Sequence, residues 1–289
     1  MENNLDNISH IVEFIENHLE DKLDLEDLAR AANYSKYHLH RMFTSVVGLT
    51  VHTYIKRRRL TEAARLLIFT DKPIMEIALF AGYETQQSFT VAFKTMFQHS
   101  PKKLRKSRNF YPLQLKYTVD GSKQLRGDMV VDIQITESDR MLLIGYTGNT
   151  RRGFGIIRKC MMKLQLNKGK IVNRTETDCL ISLNDYTKKF DYNNEHPAFD
   201  FYGVAQVTDL SVIPSGMVSK ELPPSKYLVF RFTGRPQDSM QPVADYIYKE
   251  WFPQSTCQFN EDNMCDFAKS YDAVDNNGNS KIEYWVPII

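Results

Sequence analysis

Apolar residues recur at three- and four-residue spacing through the first hundred positions, which predicts a run of amphipathic helices. Leu5, Ile8, Ile11, Val12, Ile15 and Leu19 form one stripe over residues 5–20. Asp24 or Asp27 then caps a short helix with Leu25, Leu28 and Ala32 inward. Asn33 and Tyr34 break the pattern, and the Ser35 hydroxyl is placed to cap KYHLHRMFTSVV, whose stripe of Leu39, Phe43 and Val46 ends at Gly48. Two short helices joined by a tight turn make a helix-turn-helix pattern. A long helical segment, VHTYIKRRRLTEAARLLIFT, follows, and then the pattern recurs. Ile74, Ile77 and Ala78 face inward, Gly82 and Tyr83 make the turn, and Thr85 caps a helix carrying Phe89, Phe93 and Phe97 at a spacing of four. Ser35 and Thr85 hold equivalent places. The connecting helix of about 20 residues is roughly 30 Å long, close to one turn of B-DNA, so a monomer could set both second helices in successive major grooves.

After residue 109 the period changes. NFYPLQLKYTVDGSKQLRG (109–127) has no clean repeat and reads as a linker. Beyond it, MVVDIQITESDRMLLIGYTGN resembles SGMVSKELPPSKYLVFRFTGR, with MLLIGYTG ending at Gly148 and YLVFRFTG at Gly234. Each block reads as strand–turn–strand, a helix (GIIRKCMMKLQL; MQPVADYIYKEWFPQ), then more strands, CLISLND and DFYGVAQVTD or DFAKSYDA and KIEYWVPII. Two βαβββ pseudo-repeats predict an antiparallel sheet backed by two helices, an α+β domain with a cleft on its pseudo-twofold axis. The domain expectation is an all-α tandem helix-turn-helix domain at 1–108, the linker at 109–127, and the α+β domain at 128–289.

Charge sharpens the first half. Residues 1–35 carry two basic and nine acidic groups, a balance of −7, whereas residues 36–108 carry fourteen basic and four acidic, a balance of +10. The remainder is near neutral at −1. One strongly basic block in a chain of net charge +2 is the footprint of a polyanion partner such as duplex DNA. No stretch approaches the ~18–20 apolar residues of a membrane span, and the acidic N-terminus lacks the form of a signal peptide, so a cytoplasmic location without membrane association is expected. Cys160, Cys179, Cys257 and Cys265 form no CxxC pair, which argues against zinc and against structural disulfides. No metal, cofactor or Ser/His/Asp set is called for, and the chain is read as not being an enzyme.

On the first recognition helix, Lys36, Tyr37, His40 and Arg41 are expected to point outward, with Arg41 suited to guanine and Tyr37 to a thymine methyl. On the second, Gln86, Gln87, Thr90, Val91 and Lys94 face away from the phenylalanine stripe, Gln suiting adenine and Lys94 a phosphate. Lys56, Arg57 and Arg58 of the KRRR run, with Lys102 and Lys103, are expected on phosphates. Residues 5–108 resemble the DNA-binding domain of the AraC/XylS family, on DLARAANYSKYHLHRMFTSVVGLTVHTYIKRRRLTEAARLL and IMEIALFAGYETQQSFTVAFKTMF. Their N-terminal placement is similar to the Rob branch (relatives MarA and SoxS), in which a sensor domain follows. The resemblance implies a transcription activator that contacts promoter DNA and RNA polymerase. Close relatives carry Trp, Gln and Arg where this chain has Tyr37, His40 and Val91, so base preference is expected to shift.

Residues 128–289 resemble the GyrI-like effector-binding domains, on YKEWFPQS and IEYWVPI. Alternation along that last strand sets Ile282, Tyr284 and Val286 on one side and Glu283 with Trp285 on the other. From the residues alone this pair is either an exposed edge or the floor of an aromatic pocket. The resemblance favours the pocket, because GyrI-like domains that bind lipophilic cations use a glutamate on this strand. Tyr227, Trp251, Tyr202 and Phe201 are candidate walls, and a lipophilic, cationic or amphiphilic small molecule is the expected effector. Competing readings are a small-molecule hydrolase with Glu283 as general base, a gyrase-type partner-binding module, and a methyl-transferring repair fusion, for which no cysteine stands in the required setting.

Overall fold

A computed structural model describes residues 3–107, 113–117, 130–188, 190–234, 240–276 and 278–289. The 109–127 linker expectation falls mostly outside them. The chain divides into two compact units, Met1–Lys123 with Phe252–Thr256, and Gln124–Trp251 with Cys257–Ile289.

Among its described residues the first unit holds α1 (Asn4–Asn17), α2 (Leu25–Ala31), α3 (Lys36–Val47), α4 (Val51–Phe69), α5 (Ile74–Phe80), α6 (Gln86–Phe97) and α7 (Pro101–Ser107), together with a short helical turn at Phe252–Gln254. The tandem pattern is realised hydrogen bond by hydrogen bond. Ser35 Oγ accepts from His38 N at 3.0 Å, and Thr85 Oγ1 accepts from Ser88 N at 3.1 Å. The two inter-helix turns place Asn33 and Gly82 in left-handed backbone, with φ of 53° and 79°. Asparagine and glycine adopt that conformation at least cost. Each turn closes the same way, Tyr34 N donating to Ala29 O and Tyr83 N to Ala78 O, both at 2.9 Å.

Helix α4 is the shared beam. Near its start Tyr54 meets Phe43 of α3 edge to face, and further along Leu60, Ala63, Ala64 and Leu67 pack with Ile77, Phe89, Phe93 and Phe97. Its 19 residues span about 29 Å.

The second unit is one eight-stranded antiparallel sheet among the described residues. Its strands are β1 (Val130–Ser138), β2 (Met141–Asn149), β3 (Cys179–Asp185), β4 (Asp200–Val207), β5 (Val218–Leu222), β6 (Ser225–Gly234), β7 (Cys265–Val274) and β8 (Ser280–Ile288). Helix α8 (Gly155–Asn167) follows β2. Helix α9 (Gln241–Asp245) and a π-helical turn, Tyr246–Trp251, follow β6. The α+β expectation holds, but each repeat runs ββαββ rather than βαβββ, because the opening strand–turn–strand resolves into two full strands before the helix.

The strand order, β1-β6-β8-β7-β3-β4-β2-β5, reads the same in reverse when the repeats are exchanged. The pseudo-twofold therefore passes between β7 and β3. The first strand of each repeat is donated across it, β1 pairing with β6 and β5 with β2. Close packing of strands requires glycine at Gly145, where a Cβ would lie 2.1 Å from Gly203 O. Both helical segments cover one face: α8 packs its Leu164 with Ile144, Ala205 and Val207, while Trp251 abuts Phe230 and Tyr248 abuts Tyr284.

Candidate DNA interface and effector site

On α6 the stripe of Phe89, Phe93 and Phe97 is wholly buried. The opposite side is bare: Gln86, Gln87, Val91 and Lys94 are exposed and Thr90 half-buried, its hydroxyl donating to Gln86 O at 2.7 Å. Val91 is 67% exposed, so its side chain is available for apolar contact on this otherwise polar side. Lys56 and Arg57 on α4, and Lys102 and Lys103 on α7, are also exposed.

Helix α3 differs. Lys36 and Arg41 are half-buried, and Arg41 lies over the Tyr37 ring at 5.9 Å. Tyr37 and His40, placed outward by periodicity, are buried. The apolar stripe set only one side of α3. In this unit α1, α2, α4 and the Phe252–Gln254 turn all pack against it, and Asn4 Nδ2 of α1 donates to Phe252 O at 2.9 Å. His38, which the pattern left unassigned, is fully buried; loss of solvation lowers its pKa to about 3, so it stays neutral.

Arg58 is a correction. Its guanidinium is not offered to a phosphate: Nε and Nη2 form a fork on Glu16, both at 2.7 Å, Nη2 also reaches Glu62 at 3.2 Å, and Nη1 donates to Gln114 O at 2.9 Å. Burial pushes the Glu16 carboxyl upward, but hydrogen bonds from Arg58 and Tyr54 outweigh that and hold it below the ordinary value. Arg59 likewise is spent on the Leu19 and Asp21 carbonyls. The KRRR run thus divides by helix face, Lys56 and Arg57 outward and Arg58 and Arg59 inward.

In the second unit, cross-strand partners share a face of the sheet. One ladder runs Val229, Trp285, Phe267, Leu183, Tyr202; the next runs Arg231, Glu283, Lys269, Ile181, Val204. Tyr227 lies beside them, its ring edge-on to Trp285 at 5.5 Å. This face is opposite to the helices. It gathers Glu283, Trp285, Tyr227 and Tyr202 as expected, but not Phe201, which alternation turns to the helix side, nor Trp251, which sits on the helical layer against Phe230.

Glu283 is 4% exposed and accepts from Lys281 at 2.7 Å, Arg231 at 3.1 Å and the Trp285 indole at 3.1 Å. Burial raises its pKa, yet the lysine and arginine outweigh that and keep it ionised below the usual carboxylate value. A carboxylate so held is a weak proton acceptor, which disfavours the general-base reading. Two further ion pairs lie on this face: half-buried Lys220 on buried Asp185 at 2.6 Å, and buried Lys269 on half-buried Glu176 at 2.8 Å. Periodicity had not singled out Lys220 or Lys269, because a lysine in a strand reads as solvent-facing. Burial pushes the Cys179 thiol up to about 12, so it is unreactive.

Residues 134–288 match the family described as integron-associated effector binding protein, and residues 28–107 match a helix-turn-helix domain family. The transcriptional activator AarP of Providencia stuartii is 40% identical over 104 residues, covering 36% of this chain and 77% of that protein. This chain belongs to the AraC-type regulators with a GyrI-like effector-binding domain. Transcriptional regulator Rob of Salmonella typhimurium is 42% identical to this AraC-type chain over 100 residues, 35% of each protein. The chain therefore spans about a third of Rob's length, although it spans 77% of AarP. A solved integron cassette protein from the mobile metagenome of Vibrio cholerae covers 56% of this chain and 98% of its own, at 17% identity and a TM-score of 0.41. Among the described residues of this AraC-type chain, no helix is long and apolar enough to cross a membrane.

Proposed function

We propose that the chain is a cytoplasmic transcription activator that binds promoter DNA as a monomer through α3 and α6 and responds to a lipophilic effector bound on the helix-free face of its sheet. The observation that carries the DNA half is the doubled unit: two helix-turn-helix pairs with matching caps and matching turns, joined by one beam about 29 Å long, with the polar side of α6 bare. Gln86, Gln87, Thr90, Val91 and Lys94 would face the groove from α6, and Lys36 and Arg41 from α3, with Tyr37 and His40 contributing once exposed. Lys56, Arg57, Lys102 and Lys103 would hold phosphates. The effector half rests on the aromatic ladder of Tyr202, Phe267 and Trp285 beside Glu283.

The test is gel-shift titration of the full chain on duplexes selected from a random pool, at 50 and 200 mM salt. Contact with six or more phosphates predicts a fall of about a thousandfold, and Gln87→Ala should weaken selected over random duplex. Binding that ignores salt or sequence would refute the DNA reading. Addition of RNA polymerase to the bound duplex should give a ternary complex if the chain activates.

A further inference from the structure

Helix α8 and its flanks hold a second concentration of positive charge. Residues 150–170 carry seven basic and no acidic groups, inside a stretch, 109–289, whose overall balance is −1. Arg151, Arg152, Arg158, Lys159 and Lys170 are exposed and have no acidic partner among the described residues. Of the other two, Lys168 meets Asp272 at 2.7 Å, and exposed Lys163 lies 5.6 Å from the Tyr146 ring centre. Elsewhere in this unit exposed cations commonly meet an acid, as Arg140 meets Glu221, Lys188 meets Asp200 and Lys249 meets Asp245. The fold gains nothing from the excess. Arg151 and Arg152 stand just before the N-terminus of α8, the end at which the helix dipole disfavours cations.

Packing fixes which side of α8 faces out. Cys160 and Leu164 are buried, and Gly148 of β2 admits Ile156 so closely that a Cβ there would lie 2.2 Å from Ile156 Cγ1. The outer side then presents Phe154, Met162 and Leu166, which are 67%, 54% and 82% exposed. With Arg158 they fall on one row at four-residue spacing, about 18 Å long, and Lys159 and Lys163 form the row beside it.

A partner for this side has to reward both kinds of residue. Duplex DNA would take the cations and offer the apolar row nothing. A protein would need an apolar groove rimmed with acids and shaped to a convex helix. An anionic bilayer supplies both rewards without a shape match, phosphates for the cations and the edge of the hydrocarbon for the apolar row.

We propose that the outer side of α8 is a peripheral contact for an anionic lipid surface, in which Phe154, Met162 and Leu166 enter the interface and the flanking arginines and lysines hold the phosphate head groups. Such a contact lies on the bilayer and needs no spanning helix. It is independent of the effector site.

Co-sedimentation of the full chain with vesicles tests it, using phosphatidylcholine alone and phosphatidylcholine mixed with phosphatidylglycerol. The chain should bind the mixed vesicles and not the neutral ones. Arg158→Gln and Lys159→Gln should each weaken binding about fivefold, the worth of one cation at an anionic surface. Lys226→Gln, which removes an exposed cation outside the patch, should leave it unchanged. Leu166→Ser should weaken it severalfold with every charge in place. In Leu166→Trp the added indole should be quenched by brominated acyl chains, which separates contact through α8 from contact through the basic helical unit. Indifference to phosphatidylglycerol, an equal loss in Lys226→Gln, or an unquenched indole on sedimented protein overturns the proposal. So does a Lys159→Gln variant that loses affinity for random duplex but not for vesicles, since the face then belongs to DNA. Full binding by Leu166→Ser overturns the insertion of the apolar row.

Discussion

Replacing Arg58 with alanine separates a structural tie from a DNA contact. Arg58 and Glu16 have side chains 9% and 10% exposed and share two hydrogen bonds of 2.7 Å. In Arg58→Ala, Glu16 keeps only the Tyr54 hydroxyl, and Gln114 O loses a donor. Leaving one member of such a pair buried and alone costs about 3–5 kcal/mol. For a unit of this size that is a urea midpoint lower by ~1–5 M, since the denaturant slope is roughly 1–3 kcal/mol/M. Both tryptophans, Trp251 and Trp285, belong to the second unit. Far-UV dichroism of the helices should therefore shift while tryptophan fluorescence does not. The double variant Arg58→Met/Glu16→Leu, which removes both charges, should recover most of the loss. Arg57→Ala, on the exposed side of the same helix, should show the converse: unchanged stability and a salt slope for DNA binding shallower by about 0.9. An Arg58→Ala protein within about 0.5 kcal/mol of the parent, with a reduced salt slope, would refute the assignment.

Other consequences are as direct. Ser35→Ala and Thr85→Ala should each cost about 0.5–2 kcal/mol by loss of the same cap in each repeat, read by helix dichroism in urea, and an effect in only one repeat would contradict their equivalence. His38 has a folded pKa of about 3 against 6.5 for the free group. The unfolded chain therefore takes up a proton as pH falls below about 6.5 while the folded chain does not. Its contribution is complete above that pH and is lost on acidification toward 3, at ~1.4 kcal/mol per pH unit; His38→Gln should flatten the profile between pH 6.5 and 4.5. Gly145→Ala drives a Cβ to 2.1 Å from Gly203 O and should cost at least about 1–3 kcal/mol in the tryptophan-monitored transition, with the helical transition unmoved.

What could be read in the chain beforehand follows from how local each signal is. Caps, turns and the phenylalanine stripe lie within a few residues of one another, so Ser35, Thr85, Gly82 and the α6 outer face were all legible. Arg58 was not, because its partner Glu16 lies 42 positions away and nothing in KRRR distinguishes the inward arginine except the phase of α4 against α1. Tyr37 and His40 failed for a related reason: one apolar stripe locates one buried side, and α3 is packed on more than one. In the sheet, alternation correctly put Glu283 with Trp285. The same rule applied to neighbours Phe201 and Tyr202 excludes one of them from any shared face. Trp251 was out of reach, since the π-helical turn at Tyr246–Trp251 shifts the helix phase that a 3.6-residue period assumes. The βαβββ description had the right number of strands but placed one after the helix, although strand–turn–strand had already been read before it; two strands lie on each side.

The central claim is that one chain reads two turns of duplex DNA with its paired helices. Hydroxyl-radical footprinting of the full chain on a selected duplex tests it most directly. The account predicts two protected patches about 10 base pairs apart on one face of the helix, at a stoichiometry of one chain per duplex, with Thr85→Pro erasing one patch and retaining the other. A single patch, or two patches that appear only at two chains per duplex, would contradict it.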